Sequence, residues 1–580
     1  MEEVRRRKLA NSVWIPLRQA ETVKSAGDSR TVGSFEELVC AGSVAISVEH
    51  RKIGDSLGWS DIGLMHEPAP FAFSDGRYKA ADVYLHNERE AIGVELVLVQ
   101  RFNSAHQSEW YVNPDVVMAL GLIREGDSWK SVNEGYVEVI RARRDLDGHT
   151  VAIEMRSEFL RDYLCARGLV LRVAQYRQRM AIVDDPSYLG WPTDPVEVAT
   201  PDDRFSKRYF EIDSTGGLIG SVSVMTVRRT DVDDEADAQV FGPETQSNTE
   251  VESYSFERKD RSKAFRVEGE LWRNEWVERS ATSERVRGDD PPDEFAYVVD
   301  PAGERWASSR LKNEDIGRWL WFEPRVIEAL LQFRGSSLEW YTRQTGSIRC
   351  SPDYRTHFGI DRNGSINVHA YDIAKLPRWQ QRIWVGHNIA PNGPVSSELL
   401  DSQMRARPAR TRAPEDEFVS ALDALDSTFE YRFGSRLFRS HTSRRDILTR
   451  IHRFRALEKG GVLALAKDIA RLTADAIDIS LLRKIVDPSD EQKLRSLKLL
   501  EKVLAQVVDE KTARQTLTPL VAAYELRLGD AHLPSNEIKD AFDLLGIDSS
   551  AHPMEQAMRL LEQTTIGLQS ANQILSQRLK

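Results

Sequence analysis

Arg527 and His532 close the run Tyr524-Glu525-Leu526-Arg527-Leu528-Gly529-Asp530-Ala531-His532. An imidazole titrates near neutral pH and can take a proton from an attacking hydroxyl. A guanidinium is permanently charged and grips phosphate oxygens in pairs, so it can balance charge that builds during the reaction. The two together suit phosphodiester cleavage that needs no metal ion. Their R-x4-H spacing puts them about one and a half helical turns apart. They share a face only if the helix ends between them, which Gly529 permits. Asp530 is placed to orient the imidazole, and Glu525 to pair with a basic group.

An R-x4-6-H spacing arises by chance in an arginine-rich chain, as Arg436 to His441 and Arg445 to His452 show. Arg527/His532 is preferred for its place, late in a helix and before Leu533-Pro534-Ser535. Arg445/His452 ranks second, because Asp446 follows the arginine and Arg444, Arg450 and Arg453 surround it. The structural alternative is a helix-capping histidine beside an arginine in a surface ion pair. Elsewhere, Asp82 and Glu95 precede an apolar run as in a metal-dependent nuclease, but Val97 stands where the lysine of that pattern belongs. His357, His369 and His387 lack metal-ligand spacing. No GxxxxGK[ST] is present, and Gly216, Gly217 and Gly220 do not make a dinucleotide fingerprint. Trp379 and Trp384, in an arginine- and aromatic-rich segment, could stack on a base or anchor a helix to a sheet.

With its all-helical surroundings, the R-x4-H ending resembles the HEPN superfamily, over residues 415–580 at most. In that family an asparagine commonly follows the arginine; here it is Leu528. The resemblance implies a small helical bundle, often dimeric, acting as a metal-independent endoribonuclease with no cofactor. In a homo-oligomer two Arg/His sets would meet in one groove. It further implies a bacterial stress or phage-defence system in which β-rich partners sense a phage or cellular trigger and the bundle cuts RNA. The rival expectation is a non-enzymatic sensor or scaffold whose helices only oligomerise.

The elements that must hold these residues fall into an α+β plan. A chain of 580 residues is too long for one core. Hydrophobic content of 41% with 29% charged residues is that of a folded protein. No window reaches the roughly 18 apolar residues a membrane span needs, and no apolar stretch follows the charged start, so a cytoplasmic protein with no membrane partner is expected. Three distant cysteines fit neither a disulfide framework nor a zinc site. A net charge of −11 argues against broad nucleic-acid coating but leaves room for local basic sites at Arg405–Arg412 and Arg432–Arg455.

Residues 1–195 read as a β-rich mixed domain. Val94–Val99 is a strand, Asp147-Gly148 a hairpin turn, and Ser157 the cap of a helix burying Phe159, Leu160, Tyr163 and Leu164. Strands are expected at Leu169–Gln175, Arg179–Val183 and Val267–Trp276, with exposed loops at 228–252 and 280–294. Residues 196–403 read as a second β-rich domain. The first is echoed there: Trp110 to Pro114 resembles Trp321 to Pro324, and the turn at Gly148 resembles Asn363-Gly364, so a duplicated unit is one reading. Residues 404–414, basic and bearing Pro408 and Pro414, read as a linker. Helices follow at 415–433, 461–476, 479–487, 491–508, 516–531, 536–545 and 553–578, with Thr516 and Ser535 as caps. Short loops imply antiparallel neighbours in a bundle.

Overall fold

The computed structural model describes residues 8–25, 31–102, 107–183, 187, 196–212, 219–228, 248–257, 264–290, 293–351, 354–440, 442–486, 494–529 and 536–577. It is α+β, strand-rich toward the N-terminus and helical toward the C-terminus. The chain divides into two compact units at Asp293/Glu294.

In the first unit, strand Trp14–Ser25 pairs antiparallel with Thr31–Ser47 and with Thr150–Arg156. Thr31–Ser47 runs along Leu169–Val183, which pairs on its other edge with Ala264–Val277. The strands expected at 169–175 and 179–183 are therefore one. Its side chains alternate as a pleat demands. Leu171 and Val173 pack with Phe159, Leu160, Tyr163 and Leu164 of the Ser157–Arg167 helix, while Ala174 and Tyr176 face Trp59 and Ile62. Ser157 is the first residue of that helix rather than its cap; Arg156 holds the cap position and makes no side-chain cap hydrogen bond.

The boundary expected at 195/196 falls inside this sheet. Asp203–Ile212 pairs with Ala264–Val277, and both belong with Leu169–Val183. A long central strand needs partners on both edges for its N–H and C=O groups. Periodicity cannot tell which later strand supplies them. The loop expected at 228–252 is also shorter at its end, because Ile219–Arg228 pairs with Asn248–Glu257; residues 229–247 lie outside the described residues. In the 280–294 segment Glu284–Arg287 is a turn of helix.

The second unit opens with the hairpin Ala296–Val298/Arg305–Ala307 and holds a six-stranded sheet in the order Ser337–Trp340, Thr345–Ser351, Tyr354–Ile360, Ile366–His369, Trp319–Phe322, Asn388–Ile389. The helices after Pro414 share its core. Phe454 and Met554 join the cluster of Phe322, Phe358 and Trp384, and Phe454 stacks on Trp340 with ring centroids 5.6 Å apart. Within the expected linker, Thr411 Oγ1 accepts from Arg343 N (3.0 Å) and donates to Glu398 (2.9 Å), and Ala413 is buried. The segment is fixed to the sheet by side-chain bonds that its Arg/Pro composition does not reveal.

The bundle follows the expected helices closely: Pro414–Phe433, Lys459–Leu472, Ile479–Ile485, Ser496–Leu504, Glu510–Gly529, Asn536–Leu545 and Pro553–Ser576. Phe418, Leu422, Leu425 and Phe429 are fully buried. The Glu510–Gly529 helix starts earlier than expected because Asp509 accepts from Thr512 N (3.0 Å). Thr516 is thus inside the helix, bonded back to Thr512 O (2.9 Å), and Ser535 lies outside the described residues. Among the described residues no helix is long and apolar enough to cross a membrane.

The echo between the two units has a structural counterpart. In the first, the Pro114–Ala119 helix precedes four strands, Leu122–Glu125, Ser128–Ser131, Val137–Arg144 and Thr150–Arg156, paired in sequence, and then the Ser157–Arg167 helix. In the second, the Arg325–Leu331 helix after Pro324 precedes four sequentially paired strands and the Ala370–Ala374 helix. The last hairpin of each turns on a left-handed glycine, Gly148 (φ 87°) and Gly364 (φ 80°).

Candidate functional site

Arg527 stands in the last turn of the Glu510–Gly529 helix. Its guanidinium is ion-paired with Asp475 and lies 5.1 Å from the centroid of the Tyr524 ring. His532 and Asp530 lie outside the described residues, so only one member of the first-choice pair is placed. Glu525 is exposed. Two residues from Arg527, it points to another side of the helix.

Asp475 leads from Arg527 into the larger feature. It lines a cavity of about 670 Å³ in the turn region after the Lys459–Leu472 helix. Four arginines, Arg439, Arg444, Arg450 and Arg471, line the same cavity with Asp446, Ser440 and Ser443. Beneath them lies Asp468, 2% exposed. Arg450 holds Asp468 with Nε and Nη2, both at 3.2 Å, while Arg455 and Arg471 approach it at 3.6 Å. One buried carboxylate therefore orients three guanidiniums. Arg439 donates to the backbone oxygen of Asp475 (2.7 Å), and Arg444 pairs with Asp423 (2.8 Å). Cations outnumber carboxylates in this cleft, and a cleft walled by protein focuses such a field.

The second-choice pair is not brought together. Arg445 is exposed on the short Arg444–Leu448 helix, whereas His452 is buried beside Phe454. Burial lowers His452 to about 4, against the attraction of Glu415, and Arg455 lowers it further. Its Nδ1 is buried without a hydrogen-bond partner. A neutral, enclosed imidazole has no access to a substrate hydroxyl. Beside it, Arg453 and Glu415 form a two-pronged pair, Nε and Nη2 each at 2.8 Å from a carboxylate oxygen, with both side chains under 5% exposed. Burial alone would raise Glu415; the Arg453 guanidinium overrides it and holds the carboxyl below its usual range.

The carboxylates of the first unit do not share a cleft. The expected Val94–Val99 strand breaks at Glu95-Leu96, between Glu90–Val94 and Val97–Phe102. Asn113 Nδ2 donates to Glu95 O (2.8 Å) at that break. Glu95 turns inward, 0% exposed, 2.6 Å from His66 Nε2, while Asp82 is exposed. Asp145, Asp147 and His149 are the one group among the described residues with metal-compatible spacing. They are exposed at a hairpin tip, where Asp145 Oδ1 accepts from Asp147 N and His149 N, so the turn itself accounts for the cluster. Trp384 is 0% exposed and packs on Phe322 (4.8 Å), and Trp379 packs on Phe333 (5.2 Å), which makes both helix anchors.

The stretch Arg432–Arg455 is basic in sequence, but the cleft is not legible there, because Arg471, Asp468 and Asp475 come from a different helix and its following turn. The signal available was the recurrence of Arg and Asp around two neighbouring helix ends. No family model, curated protein or solved structure matches this chain.

Proposed function

We infer that the helical part, residues 414–577, binds RNA through the arginine-lined cleft and cleaves it without a metal ion. The observation that carries this reading is the cleft's four guanidiniums, two of them fixed by or facing one buried carboxylate, joined to Arg527 through Asp475. Guanidiniums held in place lose little freedom on meeting phosphate oxygens, and phosphate contacts supply most sequence-independent affinity. In this reading Arg527 exchanges Asp475 for a phosphate oxygen, and His532 accepts the 2′-hydroxyl proton. Asp530 orients the imidazole. The strand-rich regions act as sensor or regulator, in a stress or phage-defence setting, with a second copy of the chain completing the groove.

The test is cleavage of a labelled RNA in EDTA by the full chain and by Arg527→Ala and His532→Ala. Loss of cleavage in both variants with unchanged folding supports the reading. Equal cleavage, or none in the parent protein even with RNA bound, ends it.

One observation favours a second reading, a scaffold whose bundle only oligomerises. The Arg527–Asp475 pair is complete within the chain, as in a structural ion pair. If Arg527→Ala lowers stability and dissociates an oligomer while RNA binding is absent throughout, this reading stands.

A further inference from the structure

A second cavity in the Glu294–Lys580 unit, of about 510 Å³, has one wall from the sheet and one from the bundle. That volume is within the roughly 300–1,000 Å³ of ordinary small-molecule sites. The sheet contributes Arg343, Gln344, Ile360 and the turn Asp361–Gly364. The bundle contributes Arg453 and the first turn of the 24-residue Pro553–Ser576 helix.

The groups left over define what fits. Arg453 is committed to Glu415, and Arg343 to Glu562 at 2.6 Å. Asp361 is occupied by Asn363 N, Ser365 N and Asn367 Nδ2. Arg362 is exposed and has no ion pair among the described residues, and Gln344 Nε2 has no hydrogen-bond partner among them. His552 Nδ1 accepts from Met554 N (3.3 Å), which leaves Nε2 as a donor in the neutral ring. These donors stand near the positive end of a long helix. Glu555, also in the lining, opposes any large negative charge. Ile360, Met554 and Met558 supply an apolar wall, and thioethers pack well on flat rings.

We propose that this cavity binds a nucleotide carrying a single phosphoryl group, with the phosphate on Arg362 and the base against the methionine wall. One uncommitted guanidinium and a helix end balance one phosphoryl group, whereas a triphosphate would meet Glu555 and Asp361 without further cations. The proposal is independent of the RNA-cleaving reading, since it uses neither the arginine cleft nor Arg527 or His532. A ligand touching both walls ties sheet to bundle, so binding also raises the unfolding temperature.

The experiment is isothermal titration of the full chain with the four nucleoside monophosphates, adenosine, ATP and inorganic phosphate. At least one monophosphate is expected to bind one site per chain. It should bind about tenfold or more tighter than adenosine, inorganic phosphate or ATP, and Arg362→Ala should weaken it by a similar factor. Arg439→Ala/Arg471→Ala, in the other cleft, should leave it unchanged. The proposal is overturned if no monophosphate binds at millimolar concentration or if ATP binds more tightly. Indifference to Arg362→Ala, or loss of binding only in the Arg439/Arg471 variant, overturns it as well.

Discussion

Two groups of arginines and carboxylates lie in the bundle, built from the same residue types and put to opposite uses. Arg453 and Glu415 are sealed from water, matched one to one, and satisfied by two short bonds. Around Asp468 three arginines share a single carboxylate, and their heads are between a third and a half exposed. A matched, buried pair has nothing left to offer a ligand, and breaking it leaves a charge in a dry place. An unmatched, half-exposed set keeps its charge available and tolerates loss of a member because water takes over. Burial and stoichiometry, rather than residue type, separate the structural charge cluster from the one suited to binding.

The largest expected effect breaks the matched pair. Glu415→Ala should destabilise the chain by about 3–5 kcal/mol, as removal of one partner of a buried pair does. Urea unfolding of the Glu294–Lys580 signals measures it, and a change under about 1 kcal/mol would erase the contrast drawn above.

Next comes pH. His452 has a folded value of about 4 against an ordinary value of 6.5, so the unfolded chain binds a proton that the folded chain refuses. Its contribution to stability is present above pH 6.5 and is lost as pH falls toward about 4, by about 3 kcal/mol at the limit. Glu415, held low, adds a loss in the same direction below its unfolded value. Stability measured at pH 7 and pH 5 should drop in the parent protein and drop less in His452→Gln. An identical drop in both would remove His452 as the source.

Asp468→Asn should cost less than Glu415→Ala, about 1–3 kcal/mol, because its arginines reach water. Its effect on RNA affinity should be larger than that stability change suggests, since the guanidiniums lose their alignment. Smallest in stability is Arg439→Ala/Arg471→Ala, expected within about 0.5 kcal/mol of the parent. The same variant should lower RNA affinity and reduce the salt slope by about 1 for each phosphate that is no longer neutralised. Unchanged RNA affinity in both would mean the open cluster is no more functional than the closed one.

Legibility in the sequence tracked how local each cause was. The buried stripe Phe418, Leu422, Leu425, Phe429 and the face Phe159, Leu160, Tyr163, Leu164 follow from helical periodicity alone, and both are found inside. The glycine turns at 148 and 364 needed only the residues beside them. The break at Glu95 was invisible, because the apolar run around it reads as one strand until Asn113 and His66 arrive from elsewhere. The candidate pair was half legible. Arg527 does end a helix, but its partner Asp475 lies 52 positions away in sequence, and no spacing rule reaches that far.

Composition and periodicity by themselves determined the α+β plan and the approximate positions of the bundle helices, because each depends on forces acting over a few neighbouring residues. Only the tertiary structure decided where the units divide, which strands share the long sheet, and that four arginines from two segments ring one cavity. Those outcomes depend on which surfaces exclude water together. A buried carboxylate such as Asp468 collects its cations from two separate segments, and only packing brings those segments side by side.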